Sequence, residues 1–152
     1  MINKFDGQYD WLSNFYNSPV IYQGLSYKNV ESAYQSAKLA SVFQRINFCE
    51  LNPSEAKKMG RKVILRIDWK EVKENVMFDC ILDKFLRVSS LGNALLATGT
   101  EELVEGNYWH DNLWGSCNCP KCENIVGQNI LGQILMRVRR NLRDLENEFG
   151  RK

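Results

Sequence analysis

Apolar residues recur along this chain at two spacings, and the switch between them sets the expected order of elements. Val20-Ile21-Tyr22 and Leu25-Ser26-Tyr27 flank Gln23-Gly24, which predicts a short hairpin closed by a two-residue turn. Beyond the hairpin the spacing is helical. A helix is expected from about Val30 to Ser41, with Ala33, Ala37 and Ala40 on its packed side. Asn52-Pro53-Ser54-Glu55 reads as a helix start: Asn52 caps, Pro53 takes the first helical position, Glu55 reaches back, and Gly60 offers a stop. For the next helix Asp68 is the expected cap, Glu71 completes a capping box, and Ile67 staples to Val72. Val72, Val76, Cys80 and Phe85 then line one face, broadened by Ile81 and Leu82. Ser90 to Ala97 predicts a short helix ended by Gly99. A last helix carries Leu131, Leu135, Val138, Leu142 and Leu145 as its stripe, with Arg137, Arg139, Arg140 and Arg143 mainly elsewhere. The expected fold class is mainly α with a small β element, in one domain over residues 1–152 with no repeat or linker.

Composition narrows the classes. With 152 residues, 44% hydrophobic and 25% charged, the chain has enough apolar mass for a core and is not disordered in type. A net charge of +2 does not by itself imply nucleic-acid binding, although Lys57, Lys58, Arg61, Lys62 and Arg66 fall close together. No segment approaches the ~20 apolar residues of a membrane span, and Met1 opens into polar sequence, so a cytoplasmic protein without membrane partners is expected. Five cysteines cannot all pair, which fits a reducing compartment. Cys117, Cys119 and Cys122 form a tight cluster with the only histidine, His110, seven residues before it. A fourth ligand makes such a cluster a structural zinc site, but no second Cys-x-x-Cys exists. The expectation is reducible thiols of a surface loop and no metal.

Two stretches carry chemistry. Glu31, Tyr34, Gln35 and Lys38 stand at i, i+3, i+4 and i+7, so all four project from one helical face, a polar stripe with an aromatic ring in its middle. The tract from Glu105 to Gly115 packs carboxylates, the indoles of Trp109 and Trp114 and the amide of Asn107 into eleven residues without a period of 2 or 3.6. Carboxylates beside aromatic faces suit an enzyme that holds a flat base and stabilises positive charge on an attached sugar.

Leu12-Ser13-Asn14-Phe15-Tyr16, the stripe Glu31 to Lys38, Glu55 to Arg61, Arg66-Ile67-Asp68-Trp69, Val76-Met77, Leu96-Ala97-Thr98-Gly99, Glu105 to Gly115 and Gly127 to Gly132 before Leu135-Met136 together resemble the NADAR, or YbiA-like, family. The resemblance runs in order over nearly the whole chain. It implies a compact, largely helical domain that hydrolyses N-glycosidic bonds and uses no cofactor. Two substrate classes come with it: ribosylamino-pyrimidine phosphates, which are early intermediates of riboflavin synthesis, and ADP-ribose attached to guanine in nucleic acid. A non-catalytic module binding ADP-ribose or NAD is the reading from another class. The stretch from Cys117 to Cys122 departs from the family pattern.

Cleaving a ribosyl C–N bond develops oxocarbenium character at C1′, and a carboxylate there stabilises the charge or activates water. Glu31 and Asp111 are the expected carboxylates. Lys38 offers another route, attack on C1′ to give a Schiff base. Tyr34, Trp69, Trp109 and Trp114 are expected to stack on the base or wall the pocket, and Asn14, Gln35, Asn107 and Asn129 to hydrogen-bond base or ribose edges. Phe15 joins the substrate-binding set through the motif it sits in. Arg61, Arg66 and Lys57 are candidates to receive phosphate. The expected partner is a nucleotide-like small molecule, or ADP-ribosylated nucleic acid under the second substrate class.

Overall fold

The computed structural model describes Met1 to Gly150 and is mainly α with small β elements, as the periodicity predicts. Its residues group into two compact units: Asn14–Leu91, and the first thirteen residues together with the chain from Gly92 onward. No helix among the described residues is long and apolar enough to cross a membrane.

The contiguous unit opens with the hairpin β1 (Val20–Tyr22) and β2 (Leu25–Tyr27), antiparallel with Ile21 opposite Ser26. Gln23 and Gly24 both have positive φ, 47° and 84°, the turn that matches strand twist. Helix α1 (Val30–Ser36) is capped by Asn29, whose Oδ1 accepts from Ser32 N–H at 2.7 Å. It ends five residues short of the expected Ser41. The last turn tightens instead: Lys38 N–H donates to Gln35 O at 3.2 Å and Leu39 N–H to Ser36 O at 3.1 Å, i→i−3 bonds, while Lys38 O accepts from Arg66 N–H at 2.7 Å and Leu39 O from the buried Arg45 Nε at 3.0 Å. A four-residue helix, α2 (Val42–Arg45), and a 3₁₀ turn follow.

Helix α3 (Pro53–Gly60) has the expected capping box, with Asn52 Oδ1 and Glu55 Oε1 satisfying each other's backbone N–H. Helix α4 (Trp69–Arg87) begins where expected, but not by the expected device. The Asp68 carboxylate makes no cap bond; Arg66 takes it in a bidentate pair at 2.6 and 3.0 Å. Ile67 is fully exposed, so there is no staple to Val72. Val76, Met77, Cys80, Ile81 and Phe85 are buried on the face that the periodicity predicts. Lys84 is buried with them, its Nζ 5.4 Å from the Tyr16 ring centre and 5.0 Å from that of Phe85.

In the other unit Ile2 bridges Leu103 in parallel, with Ile2 N–H donating to Glu102 O and Val104 N–H to Ile2 O, both at 2.8 Å. Helix α5 (Ser89–Ala97) ends before Gly99, which has φ 64°. The short strands β3 (Gly106–Asn107) and β4 (Ser116–Cys117) pair in parallel and bracket the Trp-rich tract. Helix α6 (Ile130–Phe149) buries Leu131, Leu135, Val138 and Leu142 as expected, whereas Leu145 is exposed. Arg139 departs from the pattern: it is buried, with Nη1 donating to Thr98 Oγ1 at 2.8 Å.

Candidate active site

Helix α1 in Asn14–Leu91 carries the densest chemistry. Glu31 is 7% exposed and Gln35 5%, and Gln35 Nε2 donates to Glu31 Oε1 at 3.0 Å across one turn of helix. Burial pushes the Glu31 carboxyl above its ordinary range, opposed by the Gln35 donor and then by Lys57, Lys38 and Arg61. Lys38 is half-buried, and its Nζ reaches Gly60 O at 3.4 Å. Desolvation lowers its pKa; Glu31 pulls it back up, while Arg61 and Lys57 push it down. One buried carboxylate therefore sits within the field of three cations, which favours an anionic group on any ligand.

The packing explains how the stripe is held. A Cβ at Gly60 would stand 1.9 Å from Gln35 Oε1, so a larger residue there must displace the Gln35 side chain. That Oε1 is buried and has no hydrogen-bond partner among the described residues. Asn14 fixes the start of the stripe: its backbone O accepts from Glu31 N–H at 3.2 Å, and its Nδ2 donates to Met77 Sδ at 3.4 Å. Tyr34 and Trp69 are buried against each other, ring centres 5.1 Å apart and tilted by 56°. Phe15 is exposed, with Lys57 Nζ 5.8 Å from its ring centre. Arg61 is exposed, whereas Arg66 is committed to Asp68. Of the expected residues in this unit, Asn14, Glu31, Gln35, Lys38 and Arg61 gather around one carboxylate, and Tyr34 and Trp69 form an adjoining pair.

The tract between β3 and β4 is a loop built from nested side-chain turns. Asn107, buried, accepts on Oδ1 from Trp109 N–H and Asp111 N–H, both at 3.2 Å, and donates from Nδ2 to Asp111 O at 2.8 Å. Asp111 Oδ1 in turn accepts from Leu113 N–H at 3.1 Å and Trp114 N–H at 2.9 Å. Asn129, at φ 51°, donates to Leu103 O at 2.9 Å and accepts from Glu105 N–H at 3.0 Å. The amides of Asn107 and Asn129 thus shape the loop. Trp109 is held outward and 62% exposed, a ring free of the core; Trp114 is half-buried. Sequence reasoning missed Gly60 as a positioning residue. For Gly60 the signal was a glycine within a helical pattern two turns from its cap, which the stop rule absorbed.

Comparison with known proteins gives the class first. The NADAR domain model matches residues 2–143. The chain is 36% identical over 149 residues to N-glycosidase Npun_R5314 of Nostoc punctiforme, covering 93% of this chain and 91% of that one. N-glycosidase YbiA of Escherichia coli is 33% identical over 147 residues, covering 93% and 88%, and the NMR structure of the E. coli protein YbiA superposes with a TM-score of 0.81 at 29% identity, covering 97% and 90%. The riboflavin biosynthesis protein VVA0006 of Vibrio vulnificus is 31% identical over 142 residues, which span 91% of this chain and 37% of that longer one. Such likeness defines a hydrolase acting on N-glycosyl bonds. The chain belongs to the NADAR family.

Proposed function

We propose that this protein hydrolyses the N-glycosidic bond of ribosylamino-pyrimidine phosphates, the reactive early intermediates of riboflavin synthesis. The observation that carries this reading is Glu31, a buried carboxylate held by Gln35 within the field of Lys38, Lys57 and Arg61. In the reaction the C1′–N bond breaks, its electron pair leaves with the base nitrogen, which takes up a proton, and water oxygen bonds to C1′ and gives up a proton. Glu31 stabilises the cationic sugar and accepts the proton from water. The cations, Arg61 foremost because it is exposed and unlike Arg66 not committed to Asp68, receive the phosphate. The relative named for riboflavin biosynthesis supports this substrate class over other ribosyl amines.

The test is a substrate panel of ribosylamino-pyrimidine phosphate and ADP-ribosyl-guanine oligonucleotide, with released base read by chromatography. Turnover of the pyrimidine substrate is expected, and Glu31→Gln should lower its kcat by about 10²-fold or more. Turnover confined to the oligonucleotide overturns the substrate, and near-normal kcat in Glu31→Gln removes the carboxylate from the reaction.

A further inference from the structure

The stretch from His110 to Cys122 holds a second cluster that the reaction above does not use. His110, Cys117, Cys119 and Cys122 each offer one ligand atom, and these atoms all lie within 4.8 Å of one another. His110 Nδ1 is 3.3 Å from Cys122 Sγ, 3.3 Å from Cys119 Sγ and 3.9 Å from Cys117 Sγ. We propose that these four side chains form a structural zinc site that ties the middle of the Trp-rich loop, at His110, to β4 and the turn that follows it.

Three observations support it. The first is the geometry: Zn–S bonds of about 2.3 Å and a Zn–N bond of about 2.0–2.1 Å give tetrahedral N···S edges of about 3.6 Å, which the three separations bracket. Hydrogen bonding alone does not explain the convergence, since a single ring nitrogen has either one proton or one lone pair and cannot serve three sulfurs. The second is backbone preparation. Cys119-Pro120-Lys121-Cys122 folds as a 3₁₀ turn with Pro120 at its start and Cys122 N–H donating to Cys119 O at 3.0 Å. His110 is held at φ 68°, a left-handed conformation that a non-glycine residue adopts at a cost. The third is the shell around the sulfurs. Cys119 N–H donates to Cys117 Sγ and Asn112 Nδ2 to Cys122 Sγ, both at 3.5 Å, while Asn112 Oδ1 accepts from Cys117 N–H at 2.9 Å. Three thiolates and one Zn²⁺ carry a net negative charge, and N–H donors aimed at sulfur are what such a centre requires. The sequence supplied three cysteines and lacked an assured fourth ligand; the fold brings His110 to them.

Elemental analysis of the purified, reduced protein should find one zinc per chain. After chelation, titration with Co²⁺ alone should produce thiolate-to-cobalt charge transfer and tetrahedral d–d bands that saturate at one equivalent. Cys122→Ser and His110→Ala should each weaken Co²⁺ binding by about tenfold or more, and Asn112→Ala should weaken it while leaving the thiolate band in place. The parent titration stands even where a variant fails to fold. Absence of stoichiometric metal, octahedral cobalt spectra, zinc retained in Cys122→Ser, or an intact mass showing a disulfide overturns the proposal. None of these readouts involves substrate, so the zinc site and the assigned substrate fail independently.

Discussion

At the residue scale, burial drives both Glu31 and Lys38 toward their neutral forms, raising the pKa of the first and lowering that of the second. Pairs of this kind are common where proton transfer or nucleophilic attack is needed. Lys38 with a lowered pKa is suited to attack C1′, expelling the base and opening the ribose to an imine that water then releases. The two routes separate cleanly. Borohydride added during turnover traps the imine as an adduct whose mass includes the ribosyl fragment, and Lys38→Arg keeps the charge but cannot form it. A trapped adduct in the parent, together with loss of activity in Lys38→Arg, is the outcome expected of covalent catalysis. Retained activity in that variant with no adduct leaves Lys38 an electrostatic partner of Glu31. The residue types at Glu31, Gln35 and Lys38 and their spacing were legible in the sequence, because i, i+4 and i+7 is geometry that any helix enforces. Their burial was not legible, since it depends on which other chain segments cover the stripe.

At the scale of elements, α3 meets α1 at Gly60, which leaves the Gln35 side chain the room it takes. Gly60→Ala puts a methyl group where Gln35 Oε1 stands, so Gln35 must swing and release Glu31. Alanine gains about 1 kcal/mol of helix propensity over glycine, whereas overpacking costs about 1–3 kcal/mol, so the melting temperature should move little. Activity should fall much further, since a displacement of about 1 Å in a positioning contact can cost on the order of 10²-fold. Thermal melts with kcat measured on the same preparation check this, and an unchanged kcat dismisses the Gln35–Glu31 contact. Element starts were legible where the signal was local: Asn52 with Glu55, and the hairpin turn at Gln23-Gly24. They were misread where a distant partner competed. Arg66 captured Asp68 from its cap, and Arg66 and Arg45 hold the carbonyls of Lys38 and Leu39 just past the end of α1.

At the scale of the whole molecule, the cost of keeping Glu31 charged appears in how stability depends on pH. Its pKa is raised in the folded protein, so the stability it contributes is complete below the unfolded carboxylate range and is lost as pH rises through the folded value. Glu31→Gln should therefore melt higher than the parent at neutral pH, with the gain fading below about pH 4, where the parent carboxyl is protonated in both states. Calorimetry from acid to neutral pH measures it, and a variant less stable than the parent at pH 7 would show that the charge is compensated. The helix-rich class was legible because most apolar periods survive in the buried faces of α4 and α6. The pairing of Ile2 was not, because its partners lie far along the chain. Ile2 finds its bridge at Leu103, and that distance has a consequence for synthesis. A ribosome delivers all of Asn14–Leu91, with its internal partners, before it makes the segment that Ile2 needs. Until Leu103 has emerged, Ile2 lacks the partner it holds in the fold, and chaperones and proteases can reach it in that interval.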